Sequence, residues 1–205
     1  MAIVLKVNPT NPQKRHIEKV AESLRKSGVI VYPTDTTYGL GADLLNKKAV
    51  DKIYRLKPHK KKKVMSFICS DLKDISRYAH VPDSAYRVMK RLLPGPYTFV
   101  LEASREVPKL VMTKRKTVGI RVPDNNICLD IIRELGNPII STTAMYAEQE
   151  YFDDPDLINE RIGHAVDFIL DGGVIPFEPS TVIDFTDGEE PTIIREGKGD
   201  VSEIM

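Results

Sequence analysis

The run Val29-Ile30-Val31-Tyr32 ends at Pro33-Thr34-Asp35-Thr36-Thr37-Tyr38-Gly39-Leu40-Gly41, and this junction constrains the fold more than any other segment. Four consecutive apolar residues, three of them β-branched, are too few for a helix and lack the polar alternation of a half-wet strand. They read as a strand buried on both faces. The segment that follows is rich in hydroxyls and glycines, the composition of a turn. Open α/β sheets bind ligands beyond the carboxyl ends of their strands. One short helix later comes Lys57-Pro58-His59-Lys60-Lys61-Lys62-Lys63, with five lysines and a histidine. A polar strand end and a cationic loop suit a phosphate-bearing ligand.

The rest of the chain carries alternating signals. Asn11-Pro12 reads as a helix start, Ile17, Val20, Ala21 and Leu24 follow at helical spacing, and Gly28 stops the helix. A second helix runs from Asn46 to just before Pro58, since the residue before proline avoids helical geometry. Strands are expected over 65–69, 97–101, 117–122, 138–142, 166–170, 180–185 and 192–195. Helices are expected over 70–79, 83–93 and 126–135, with another from Asp154-Pro155, and residues 145–154 read as a polar loop. Asp187-Gly188-Glu189-Glu190 reads as a hairpin turn between the last two strands. Strands alternate with helices early and dominate late. This predicts an α/β fold, one domain over residues 1–205, with a mixed sheet covered at least in part by helices.

Composition narrows the function. A net charge of +1 excludes a globally basic binder, so any cationic surface is local. Cys69 and Cys128 each sit among apolar residues, without metal-ligand spacing, and read as buried thiols of a reducing compartment. No metal site is expected, because His16, His80 and His164 are isolated. No stretch reaches membrane-spanning length, so the expectation is a cytoplasmic protein with no membrane partner.

Five constellations could carry chemistry. Residues 33–41 offer hydroxyls to a small polar ligand, or are simply a turn. Lys57, His59 and Lys60 to Lys63 suit ATP phosphates or an RNA backbone, or form a solvated charge run. Arg121 lies in an otherwise apolar strand just after Lys114-Arg115-Lys116. It requires either an anionic ligand or an internal acidic partner. Ser141-Thr142-Thr143 and Ser180-Thr181 place hydroxyls at strand ends, where they line a rim or cap loops. Arg195 leaves a strand near the C-terminus.

Taken in order, these segments resemble the YrdC-like family, and within it the YciO branch. The resemblance rests on residues 33–41, Lys57, Leu93-Pro94-Gly95-Pro96-Tyr97-Thr98, Gly119-Ile120-Arg121-Val122-Pro123, Ser180-Thr181-Val182-Ile183-Asp184 and Arg195-Glu196-Gly197. It implies a twisted open sheet with a concave, positively charged face that binds nucleotides or double-stranded RNA. The enzymatic branch, threonylcarbamoyl-AMP synthase, joins L-threonine, bicarbonate and ATP, releases pyrophosphate and serves tRNA modification.

By that resemblance Lys57 and Arg121 are the catalytic candidates, Lys57 on the phosphates and Arg121 on the threonine carboxylate. Thr34, Thr37, Tyr38, His59, Ser141, Thr143, Ser180 and Arg195 would contact threonine, ATP or AMP. Lys60, Lys61, Lys62 and Lys63 would contact double-stranded RNA or tRNA. No tightly bound cofactor is implied, and Mg2+ would accompany ATP. Two positions depart from the enzymatic pattern. His59 stands where the branch has arginine, and Met145 where its Ser-Ala-Asn motif has the asparagine. An imidazole does not replace a permanently charged bidentate fork, so weak or altered synthase activity is the expectation. The alternative is a non-enzymatic RNA-binding module acting in translation or RNA processing.

Overall fold

The computed structural model describes residues 1–56, 65–145, 152–187 and 190–204. Its strands are β1 (Ile3–Lys6), β2 (Ile30–Pro33), β3 (Tyr38–Asp43), β4 (Ser66–Ile68), β5 (Ala79–His80), β6 (Tyr97–Ala103), β7 (Thr117–Arg121), β8 (Ile139–Thr143), β9 (Phe168–Asp171), β10 (Thr181–Asp184) and β11 (Thr192–Arg195). Its helices are α1 (Lys14–Arg25), α2 (Lys47–Leu56), α3 (Leu72–Tyr78), α4 (Asp83–Leu92), α5 (Asn126–Leu135) and α6 (Pro155–Ile162). All strands join one mixed sheet in the order β1-β9-β2-β3-β8-β4-β7-β6-β10-β11, with β5 beside β6.

Strand β2 shows why the sheet is covered on both sides here. Val29 and Val31 face one hydrophobic cluster, with Tyr38, Leu40, α2 and α4. Ile30 and Tyr32 face the other, against α1 and α5. The continuous apolar run of the sequence is the signature of that double burial. Helices α1 and α5, however, cover their face only at the β1 end. Their cluster reaches Ile139 of β8 and Ile68 of β4 but no residue of β7, β6 or β10, and the hollow described below lies beyond it on the same face.

Several boundaries differ from the sequence expectation. Helix α1 begins at Lys14, not at Asn11, and Gln13 at its N-cap position makes no side-chain capping bond. Asn11 is bonded instead to Asn8 Oδ1, within a local polar turn. The larger correction is β3. Residues 33–41 were expected as one long turn, yet the turn is only Thr34 to Thr37, and Tyr38–Asp43 is a central strand antiparallel to β2 and β8. Gly39 and Gly41 are strand residues there because the Tyr32 ring lies across them. A Cβ at Gly41 would sit 2.7 Å from that ring and 2.6 Å from Ile139 Cγ2. Strand β5 has only two residues, and β1 is a mostly exposed edge strand whose apolar residues do not mark a buried run.

Cys69 and Cys128 are free and fully buried. Burial pushes both thiols up, well above the ordinary thiol value. In the folded chain they keep their protons where an unfolded thiol ionises, near pH 8.5. Stability from these thiols is therefore complete below about pH 8.5 and declines as pH rises above it. Iodoacetamide at pH 8 is expected to leave both cysteines unmodified until denaturant is added. Mass spectrometry across a urea series checks this, and the alkaline loss of stability should be shallower in C69A/C128A.

Candidate functional site

One row of register partners forms the floor of the site. Ser141 pairs with Ser66, Ser66 with Gly119, Gly119 with Val100 and Val100 with Asp184. Residues directly opposite in neighbouring strands point to the same face, and all five line a single hollow of about 680 Å³. Three of the five are serine or glycine, so the floor is low and polar. Its volume falls within the ~300–1,000 Å³ typical of small-molecule sites.

The wall at the carboxyl end of β2 is the Thr34–Thr37 turn. Thr34 Oγ1 donates to the Thr37 carbonyl at 2.6 Å and accepts from the Thr36 and Thr37 amides, each at 3.2 Å. Thr34 therefore lines the hollow with its hydroxyl committed to folding the turn. Thr37, only 6% exposed, lines the hollow with a hydroxyl that has no partner among the described residues. An orphaned buried hydroxyl costs about 1–3 kcal/mol unless a ligand or water meets it.

Arg121 closes the same end. Its Nη2 pairs with Asp35 Oδ1, its Nη1 donates to Thr36 Oγ1 at 2.8 Å, and its Nε has no partner among the described residues. Asp35 Oδ2 also accepts the Asp124 amide at 3.2 Å, and the Asp35 carbonyl accepts Lys198 Nζ at 2.7 Å. The two readings of Arg121 left open by the sequence thus divide. The guanidinium faces the hollow, and its carboxylate partner is internal.

The opposite wall is built around Ser180. Its Oγ lies 2.8 Å from Thr98 Oγ1, and Arg195 donates to its carbonyl through Nε at 3.1 Å and Nη2 at 2.7 Å. Ser141 Oγ accepts from the Tyr32 phenol at 2.6 Å. Burial pushes that phenol above its ordinary value, so it stays a donor.

The structure therefore brings Thr34, Thr37, Arg121, Ser141, Thr143, Ser180 and Arg195 around one hollow. It does not bring Tyr38 there. The Tyr38 side chain points to the other face, where its phenol donates to the Gly173 carbonyl at 2.6 Å and accepts the Gly172 amide at 3.2 Å. Strand alternation explains the correction: Gly39, not Tyr38, has the hollow-facing parity. Lys57, His59 and Lys60 to Lys63 lie outside the described residues.

Sequence reasoning missed Ser66 and Thr117, and held Asp35 and Thr36 only within residues 33–41 and Thr98 and Asp184 only within longer motifs. The available signal was period-two alternation, since Thr117, Gly119 and Arg121 share one side of β7, and Ser66 and Ile68 one side of β4. Among the described residues no group of three or more histidine, cysteine or acidic side chains could hold a metal ion. Nor is any helix long and apolar enough to cross a membrane.

An α/β sheet left bare on part of one face, with a hydroxyl-lined hollow across its strands, defines a protein of the open-sheet α/β class. Residues 22–197 match the Sua5/YciO/YrdC family model, described as "Telomere recombination", and the chain belongs to that family. It is 42% identical to YciO of Escherichia coli over 97% of each chain, and its fold superposes on the YciO crystal structure with a TM-score of 0.94 over 100% of both. The threonylcarbamoyl-AMP synthase of Idiomarina loihiensis is 34% identical over 75% of this chain and 84% of its own. The structure of Pyrococcus abyssi Sua5 complexed with L-threonine matches with a TM-score of 0.92 at 28% identity, covering 99% of this chain and 60% of that one. The chain is thus related to the threonylcarbamoyl-AMP synthases, and its open twisted sheet is that of YciO and Sua5.

Proposed function

We propose that the hollow binds L-threonine together with ATP or AMP and supports threonylcarbamoyl-AMP synthase chemistry at reduced turnover. The observation that carries this reading is the hydroxyl-rich lining of the hollow, where Thr34, Thr37, Ser141, Thr143 and Ser180 gather around one cavity with Arg121. Threonine offers a hydroxyl, an ammonium and a carboxylate, and a hydroxyl wall meets all three. The Sua5 relative whose structure holds L-threonine shares this fold.

Joining threonine, bicarbonate and ATP with release of pyrophosphate asks little covalent help from the protein. It asks for orientation and for charge on the phosphates. Mg2+ bound with ATP would supply further phosphate charge, and the described residues offer it no protein cage. Reduced turnover follows from two features. His59 stands where the enzymatic branch has arginine, and Met145 lines the hollow where that branch carries an amide. Duplex RNA is assigned to the surface that Lys60 to Lys63 would supply.

Calorimetric titration with L-threonine, ATP and duplex RNA, alongside a pyrophosphate-release assay, tests the reading. Thr37→Val is expected to weaken threonine binding roughly five- to tenfold, the size of one lost hydrogen bond, with a melting temperature at or above that of the natural chain, since the orphaned hydroxyl is removed. If neither threonine nor ATP binds or raises the melting temperature of the natural chain, the reading is wrong. Pyrophosphate release at the rate of an authentic synthase would overturn the reduced-turnover part.

A further inference from the structure

The charges that line the hollow are not equally available to a ligand. Arg121 is neutralised by Asp35, and Arg195 is bonded to Ser180. Lys114 and Arg115 also line the hollow, are exposed, and have no hydrogen bond or ion pair among the described residues. They do not sit on a loose loop. Thr113 Oγ1 accepts the Thr117 amide at 2.9 Å and bonds the Thr117 carbonyl at 3.0 Å, and the Lys116 amide donates to the Thr113 carbonyl at 3.1 Å. Lys116 turns the chain with a φ of 55°. The result is a tight cradle, fixed to the first residue of β7, with two cations aimed at the hollow.

We propose that the Thr113–Thr117 turn is the polyphosphate-binding arm of the hollow, with Lys114 and Arg115 as its phosphate ligands. The assignment rests on the nucleotide reading above and says where the phosphate chain lies. Thr117 and Arg121 are the two ends of β7, four strand steps or roughly 13 Å apart. The hydroxyl turn at one end takes the small substrate, and the cationic turn at the other takes the phosphates. Arg115 adds a planar fork suited to two phosphate oxygens, which a lysine lacks. It also borders a second depression containing Glu102 and Asp187. Those two carboxylates repel an anion more than Asp184 alone does on the floor of the larger hollow, which leaves the main hollow as the direction in which Arg115 meets phosphate.

The test compares the natural chain with K114A/R115A in titrations against inorganic pyrophosphate, ATP, adenosine, L-threonine and a short RNA duplex. Both residues are exposed, so the melting temperature should be unchanged. The expected result is a loss of at least about tenfold in pyrophosphate and ATP affinity, a weaker salt dependence, and unchanged affinity for L-threonine and adenosine. Pyrophosphate and ATP affinities within twofold of the natural chain would overturn the arm. So would loss of RNA binding with pyrophosphate binding intact, which would assign the turn to an RNA backbone. A natural chain that binds pyrophosphate through these two residues but binds neither threonine nor adenosine would sustain the arm and sink the synthase reading.

Discussion

Arg121→Ala is expected to destabilise the protein by about 3–5 kcal/mol, the loss typical when one partner of a buried ion pair is removed. The side chains of Arg121 and Asp35 are 9% and 10% exposed, so solvent screens little of the charge left behind. Asp35 would keep only the Asp124 amide on its carboxylate, and Thr36 Oγ1 would lose its guanidinium donor. Asp35→Ala should cost a comparable amount by stranding the arginine. The double variant should cost much less than the sum of the two, because it leaves no unpaired charge. Urea denaturation of the two single variants and the double one measures the coupling, and strictly additive losses would show that the pair carries no such coupling. Arg121→Lys should recover part of the charge but not the two-pronged contact with Asp35 and Thr36.

That pair also bears on chemistry. A guanidinium aimed at a substrate carboxylate and a guanidinium braced by Asp35 predict opposite effects of Asp35→Asn on threonine affinity. A brace predicts weaker binding, because the Thr34–Thr37 turn loses its anchor. A clamp held in check predicts tighter binding, because Arg121 is released. The number of bonds converging on Asp35, from Arg121, Asp124 and Lys198, favours the brace.

The fold was legible at most places where local chemistry decides it, the start of α1 at Lys14 rather than Asn11 being the exception. Asp71, Asn125 and Asp154 each cap a helix through a side-chain oxygen, and Gly136 ends α5 with a φ of 80°. Those positions are readable because capping acts over three or four residues. The run at residues 29–32 announced a strand buried on both faces for the same local reason. Strand β3 was hidden because its composition is decided by a neighbour. Gly39 and Gly41 exist to admit the Tyr32 ring, which is a tertiary fact, and in sequence they imitate a turn.

The site shows the same division. Residue types pointed to Thr34, Arg121, Ser141, Ser180 and Arg195, and all five line the hollow. What type alone could not give was which atoms are spent internally. Thr34 folds its own turn, Ser141 takes the Tyr32 phenol, and Arg121 takes Asp35. Tyr38 failed on parity, a one-residue matter that reverses the face of every side chain in a strand.

The C-terminal segment yields the second large expectation, because at Gly197 it packs directly against backbone. A Cβ at Gly197 would lie 2.1 Å from the Pro179 carbonyl oxygen and 2.7 Å from the Ser180 carbonyl carbon. Main-chain atoms cannot swing away as a flexible side chain does, so Gly197→Ala must push the segment off the wall of the hollow. That movement breaks the Lys198 amide bond to the Pro179 carbonyl at 2.8 Å and the Gly197 amide bond to Thr181 Oγ1 at 3.0 Å. It also draws Arg195 from Ser180 and Lys198 from Asp35. The expected cost is about 3 kcal/mol, the upper part of the range for forced overpacking. Gly136→Ala is the control: no atom crowds its Cβ, and only the left-handed backbone objects, at roughly 1 kcal/mol. If the clash argument is right, Gly197→Ala lowers both stability and threonine affinity, since Ser180 moves with the segment, whereas Gly136→Ala lowers stability alone. Equal effects of the two on stability, or threonine affinity untouched in Gly197→Ala, would mean the segment is not part of the wall.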